Sequence, residues 1–179
     1  MSLVQIMICV SLDGYLADRD GGVGWLAPFE TPEVEEETNL SAFLAAADVV
    51  VMGRRTFDQV IGFGDPWPYG SKRVVVVTHR PLPDDLPRGV VASNDLAATL
   101  DQAAARGLRV WICGGASVIG QALALGRVDE VELFVAPVLL GGGIAWFSPA
   151  ENQAIGLDLL ACEGFRSGLV RLLYQPQLG

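Results

Sequence analysis

RVWICGGASVIGQALAL (residues 109–125) joins two kinds of apolar pattern through a pair of glycines. Val110-Trp111-Ile112-Cys113 is a short continuous apolar run, suited to a strand buried on both faces. After Gly114-Gly115 the apolar positions Val118, Ile119, Ala122 and Leu123 fall on one side of a 3.6-residue period, which predicts a helix. A strand that turns through two glycines into a helix directs free backbone N–H groups and the positive end of the helix dipole at one spot, and that spot suits a phosphate. A double glycine also serves simply to let a strand and a helix pack closely. The rest of the chain has to decide between the two.

The chain has 179 residues, enough for one domain with a sizeable core, and half of them (51%) are hydrophobic. Every apolar run is interrupted well before the ~20 residues of a membrane helix. The N-terminus, MSLVQIMICVSLDG, reads as a strand with no basic n-region, so the expected location is cytoplasmic. Cys9, Cys113 and Cys162 are scattered without C-x-x-C spacing, and His79 is the only histidine. These features argue against structural zinc, a disulfide scaffold and the zinc deaminase signature. No G-x-S-x-G elbow accompanies His79, which argues against a serine hydrolase. A net charge of −9 with a single lysine disfavours nucleic acid and anionic membranes as partners. An anionic ligand would therefore need a local basic site, and the clustered cations are Arg54-Arg55 and His79-Arg80.

Outward from residues 109–125, the same grammar recurs. Val4 to Val10 predicts a first buried strand, followed by an Asp13-Gly14 turn and a polar loop from Asp18 to Gly24 that either borders a site or is plain surface. Thr31-Pro32 predicts a helix start, with Glu33, Glu35, Glu36 and Glu37 as a solvated acidic face and Leu40, Phe43, Leu44 and Ala47 as its buried stripe. Asp48 to Met52 predicts a second buried strand that runs straight into Gly53-Arg54-Arg55-Thr56, where a helix should begin with two arginines and a hydroxyl in its first turn. Residues 62–70 form a Pro/Gly/aromatic loop. Arg73 to Thr78 predicts a third strand ending at Thr78-His79-Arg80, the kind of strand end at which open α/β sheets bind ligands. A short strand at 90–92 precedes a helix capped by Ser93 or Asn94. Val131 to Leu140 predicts a long strand broken by Pro137 and ending in Gly141-Gly142-Gly143, and Leu157 to Cys162 with Leu169 to Tyr174 a hairpin. Strands alternating with helices predict an α/β domain over residues 1–179, with a mostly parallel sheet covered on both faces and an antiparallel C-terminal hairpin.

No Walker motif and no G-x-G-x-x-G after the first strand are present. The ordered set VVVMGRRTFD, VVVVTHRP and WICGGASVIGQAL, with SLDGYLA before it and DEVELFVAPVLLGGG after it, instead resembles the dihydrofolate-reductase-like family. It is closest to the reductase domain of the riboflavin-biosynthesis deaminase-reductases and their stand-alone relatives. The resemblance implies a three-layer α/β fold, NADPH as cofactor and a homodimer. It assigns the phosphates to Gly53, Arg54, Arg55 and Thr56, and the adenosine 2′-phosphate to the strand end at Thr78, His79 and Arg80. It places Gly114-Gly115 on the nicotinamide side, where dihydrofolate reductases have a cis peptide. Ala116, Ser117, Val118 and Ile119 would offer helix N–H groups to the pyrophosphate, and Ala17 would frame the nicotinamide carboxamide.

For the chemistry, Glu30 stands at a distance from Trp25 comparable to that of the pterin-binding carboxylate of dihydrofolate reductases, and it also reads as a helix-end acid. Asp13 is the other candidate acid, or simply a turn residue. Trp25, Phe63 and Trp67 are candidate stacking walls, with the acceptor expected between the end of the first strand, the 18–30 loop and the 62–70 loop. The expectation is an NADPH-dependent reductase acting on a small heterocycle, pyrimidine- or pterin-like. The rival readings are a true 5-amino-6-(5-phosphoribosylamino)uracil reductase, a true dihydrofolate reductase, and a nucleotide-binding dimer that has lost catalysis.

Overall fold

The structure, a computed structural model, describes residues 2–64, 66–147 and 154–177; Asp65 of the 62–70 loop lies outside them. Four apolar segments supply the centre of an eight-stranded sheet: β1 (Leu3–Ser11), β3 (Val49–Gly53), β4 (Arg73–Val77) and β6 (Arg109–Gly114). With β5 (Val90–Ser93), β7 (Glu130–Ala136), β9 (Leu157–Gly164) and β10 (Val170–Pro176), the spatial order is β5-β4-β3-β6-β1-β7-β10-β9. Pairing from β5 through β7 is parallel, and β10 and β9 close the far edge antiparallel. A small second sheet pairs β2 (Tyr15–Ala17) with β8 (Ile144–Ala145).

Side-chain alternation divides the core between the two faces. Ile6, Ile8, Val49, Val51 and Ile112 meet α4 (Leu96–Ala105) and α5 (Ala116–Ala124) on one side. Met7, Val50, Met52, Val74 and Trp111 pack on the other side with Phe43 and Leu44 of α2 (Leu40–Ala46) and with Phe57 of α3 (Arg54–Gly62). Trp111 is fixed there by donating its indole N–H to the Met7 carbonyl at 3.0 Å. This is the expected layered α/β architecture, with parallel strands buried on both faces because helices cover both.

Several local expectations need correction. The 31–47 segment is two helices. α1 (Pro32–Thr38) is capped by Thr31 as expected, but it ends at Asn39 in a left-handed conformation (φ 54°), and α2 starts again at Leu40. Asn tolerates that conformation because its short polar side chain lessens the steric penalty. Leu40 is consequently turned away from the buried stripe and is 40% exposed. The acidic face is not merely solvated: Glu35 accepts from the Ser41 N–H at 2.7 Å, and Glu37 accepts from the Arg166 N–H at 3.0 Å and the Ser167 hydroxyl at 2.6 Å. The cap of α4 is Asp95, whose carboxylate accepts from the Ala98 N–H, while Ser93 stands two residues earlier, at the end of β5, and bonds Thr99. The break expected at Pro137 is present: β7 stops at Ala136, because Pro137 has no N–H to offer a ladder.

Candidate functional site

Parallel pairing brings the carboxyl ends of β4, β3 and β6 side by side, and each end opens into a loop or helix start. α3 begins directly after Gly53 and α5 directly after Gly115, and neither cap residue has a side chain that could satisfy the first-turn N–H groups. The Gly115 carbonyl accepts from Val118 and Ile119, so the open donors of α5 belong to Ala116 and Ser117. Both helix starts face the same cavity, whose volume is about 1240 Å³. That exceeds the ~300–1,000 Å³ usual for one small ligand, and leaves room for a cofactor with an acceptor beside it.

The two turns touch. A Cβ placed on Gly53 would stand 3.3 Å from Val118 Cγ2 and 3.7 Å from the Gly115 nitrogen. A Cβ on Gly115 would meet the Thr56 hydroxyl at 3.4 Å. The glycines therefore allow two helix N-termini to converge with backbone alone between them. The Gly114-Gly115 peptide is cis, and Gly114 has φ +126°, a conformation that L side chains rarely adopt.

Gly53, Arg54, Arg55, Thr56, Thr78, His79, Gly115, Ala116, Ser117, Val118 and Ala17 all line this one cavity. Arg54 is half-buried and already engaged, donating to Asp58 at 2.7 Å and to the Pro81 carbonyl at 2.6 Å. Arg55 is exposed and has no ion pair among the described residues. Thr78 shapes the β4 end by accepting from the Arg80 N–H at 3.0 Å. Arg80 itself, Gly114 and Ile119 do not line the cavity; Ile119 is fully buried in the core beneath α5.

The two candidate acids part company. Asp13 is taken up by the chain: Ser11 donates to it at 2.7 Å, and the Leu140 and Gly141 N–H groups at 3.1 and 2.7 Å. These donors, the Ser11 hydroxyl first, hold its carboxyl below the usual Asp range, and the residue does not reach the cavity. It ties the β1–β2 turn to the loop after β7. Glu30 does reach the cavity wall, at the end of a 3-10 turn (Gly24–Phe29), where its N–H is held by the Ala27 carbonyl.

The expected stacking walls are elsewhere. Trp67 packs edge-on against Phe57 and Tyr69, Trp25 joins a small cluster around Val34, Ala136 and Leu169, and Phe63 is 54% exposed. None of the three lines the cavity, and the described residues of the 62–70 loop do not border it. Its aromatic wall is Trp111, Phe134, Phe29 and Phe147. Cys9 and Cys113 lie beside them; burial pushes the Cys9 thiol up to about 12 and that of Cys113 to about 11. Strand parity carried a signal for this wall, because Trp111 and Cys113 alternate with Val110 and Ile112. Gln59, which no motif marks, donates to the Gly21 carbonyl at 2.9 Å and links α3 to the 18–24 loop.

The family profile of the RibD C-terminal domain matches residues 2–171. The chain belongs to the RibD C-terminal domain family. Two Bacillus subtilis relatives bear the names uncharacterized protein YwjB and uncharacterized protein YyaP. The first is 32% identical over 149 residues, covering 83% of this chain and 84% of the relative. The second is 27% identical over 178 residues, covering 93% and 91%. Among solved structures, a Shewanella sp. PV-4 protein assigned to riboflavin biosynthesis superposes with a TM-score of 0.83 at 28% identity, covering 98% of this chain and 99% of that one. A pyrimidine reductase-like protein from Corynebacterium diphtheriae gives 0.70 at 18% identity, covering 99% and 92%. The Thermotoga maritima diaminohydroxyphosphoribosylaminopyrimidine deaminase/5-amino-6-(5-phosphoribosylamino)uracil reductase gives 0.70 at 16% identity; the chain spans 57% of its length. This RibD C-terminal domain thus shares the α/β fold of that group, and family membership makes it reductase-like.

Proposed function

We propose that this protein is a cytoplasmic NADPH-dependent reductase that passes a hydride to a small pyrimidine- or pterin-like heterocycle. The observation that carries the reading is the convergence of two uncapped helix N-termini with Arg54, Arg55 and His79 on one cavity, in a chain otherwise poor in cations. Such an arrangement fits a dinucleotide carrying an additional phosphate. Bound NADPH supplies the hydride. Ala116, Ser117, Thr56 and Arg55 hold its phosphates, His79 and Thr78 face the extra phosphate, and Ala17 frames the nicotinamide end. Trp111, Phe134 and Phe147 keep water from the transfer site and orient a flat acceptor. Glu30, the carboxylate on the wall, carries a proton from the mouth of the cavity to the acceptor.

A melting scan tests this directly. NADPH at a hundredfold excess over Kd stabilises by ~2.7 kcal/mol, which for a chain of this size raises Tm by about 5–11 °C, with NADH giving much less. If neither nucleotide moves Tm, the reading fails. NADPH oxidation with 5-amino-6-(5-phosphoribosylamino)uracil and with dihydrofolate then separates the two specific reductase activities from the general one. The homodimer places its contact on the free edge of β9, where Leu159 and Leu160 are 56% and 50% exposed. Sedimentation of Leu159→Lys, Leu160→Lys as a monomer beside a dimeric parent is the expected result; an unchanged dimer removes that contact.

A further inference from the structure

A further cavity, of about 260 Å³, lies between α4 and the strands β4 and β5. Strand parity builds its floor: Val75 and Val91 are paired across β4 and β5, and Arg73 stands on the same face two residues before Val75. Helix spacing builds its roof: Thr99, Gln102 and Arg106 follow one another at three- and four-residue steps along one side of α4 and just past its end. It shares no lining residue with the larger cavity. Four residue steps of β4 separate Arg73 from Val77, which lines the larger one, about 13 Å at ~3.3 Å each. That is beyond the Debye length of about 8–10 Å at physiological salt, so charges held in the two cavities act independently.

The wall is basic in an acidic chain. Asp and Glu outnumber Lys and Arg by 21 to 12, yet two arginines and no carboxylate line this cavity. Arg73 and Arg106 are exposed and make no ion pair among the described residues. The acids beside the wall in sequence are turned to other partners. Asp48 accepts from the Arg109 N–H at 2.8 Å, Asp101 pairs with Arg127 at 2.7 Å, and Asp95 caps α4 at its far end. The Thr99 hydroxyl is taken as well, by the Ser93 hydroxyl at 2.9 Å and the Asp95 carbonyl at 2.7 Å. The carbonyl end of α4 adds about half a negative charge near Arg106, which two whole guanidinium charges exceed. Like charges on one small space repel, and an anion between them turns that repulsion into attraction.

We propose that this groove is an anion site in its own right, in which Arg73 and Arg106 hold a small dianionic oxyanion, inorganic phosphate or a short dicarboxylate, with the Gln102 amide as a further donor. Guanidinium forks suit such oxygens, which they meet in pairs. At about 260 Å³ the space falls below the ~300–1,000 Å³ of a drug-sized ligand, so a nucleotide does not fit. A bound anion ties the amino end of β4 to the last turn of α4. The site stands whether or not the larger cavity takes NADPH.

The test is a titration of the whole protein with inorganic phosphate at constant ionic strength, followed amide by amide in ¹H–¹⁵N NMR spectra. The expected result is a saturable shift of the Val91, Gln102 and Ala103 amides in the millimolar range. Arg73→Gln and Arg106→Gln each remove a charge from an exposed position and should each weaken phosphate roughly 10–150-fold, which takes saturation out of reach while the rest of the spectrum stays that of folded protein. Repeating the titration with succinate tells the two sources apart, the tighter of the two being the better match to the groove. Shifts confined to the Ala116 and Ser117 amides would put the anion in the larger cavity alone and overturn the proposal. Shifts around α4 that do not saturate, or that survive both substitutions, overturn it too, as does the absence of any shift there with either anion.

Discussion

Gly53→Ala separates binding from folding. Gly53 has φ −78° and ψ 163°, which any residue adopts, so an alanine there brings no backbone strain. Its Cβ would press on the Val118 methyl at 3.3 Å, a side-chain contact that yields by a few tenths of an ångström, and would meet the Gly115 nitrogen at an ordinary 3.7 Å. Removing a glycine also stabilises by about 0.4–1 kcal/mol through the unfolded chain, so the two effects nearly cancel. With about 2–4 °C of Tm per kcal/mol in a chain of this size, Tm should stay within about 2 °C of the parent. The cofactor has less room. The new methyl stands between the two helix starts, and keeping a phosphate from one of those N–H donors forfeits a charge-assisted hydrogen bond of about 1.5–3 kcal/mol, roughly 10–150-fold in Kd. Titration calorimetry with NADPH on the folded variant reads this. Unchanged affinity alongside an unchanged Tm would refute the placement of the phosphates between α3 and α5.

Arg171→Met leaves the Glu132 carboxylate buried without its partner and should cost about 3 kcal/mol or more, a Tm drop of at least about 6 °C. Glu132→Leu combined with Arg171→Met should restore most of that loss in urea melts, and an equally unstable double variant would show that the pair is not the cause. The thiols give a pH prediction. Iodoacetamide at pH 8 should label exposed Cys162 and spare Cys9 and Cys113, whose raised pKa values keep them protonated; equal labelling of all three in folded protein contradicts their burial. Because the folded pKa values lie above the ordinary thiol value of about 8.5, the native state holds protons that the unfolded chain releases. Their contribution to stability is full below about pH 8.5 and falls as pH rises toward about 11–12, which urea midpoints of Cys162→Ser across that range would follow.

The half of the cavity at the ends of β3, β4 and β6 was legible because its cues are local. A strand, a glycine and a helix start are consecutive in VVVMGRRT and WICGGASV, and parallel strands necessarily place such turns on one edge. The half toward β1 and β7 was less legible. Its walls come from residues far apart in sequence, Phe29, Trp111, Phe134 and Phe147, each looking locally like core or loop. Trp25 and Trp67 misled for the same reason: an aromatic beside glycine or proline anchors a loop or lines a pocket with equal local plausibility, and only packing against Val34 or Phe57 decides. The break at Asn39 was invisible to a periodicity that tolerates one misplaced residue.

That break has a consequence for how the molecule can change. Val34 and Thr38 on α1 and Leu40 just past Asn39 contribute to the cavity wall, whereas Phe43 and Leu44 on α2 are locked into the core. The turns after β3 and β6, by contrast, are anchored at the ends of buried strands. On the proposed reading, mutational drift or directed evolution across residues 18–40 can therefore redraw substrate preference while the turns after β3 and β6 stand still. A library confined to that segment should yield folded proteins with altered acceptors far more often than one spread over residues 49–56 and 109–119.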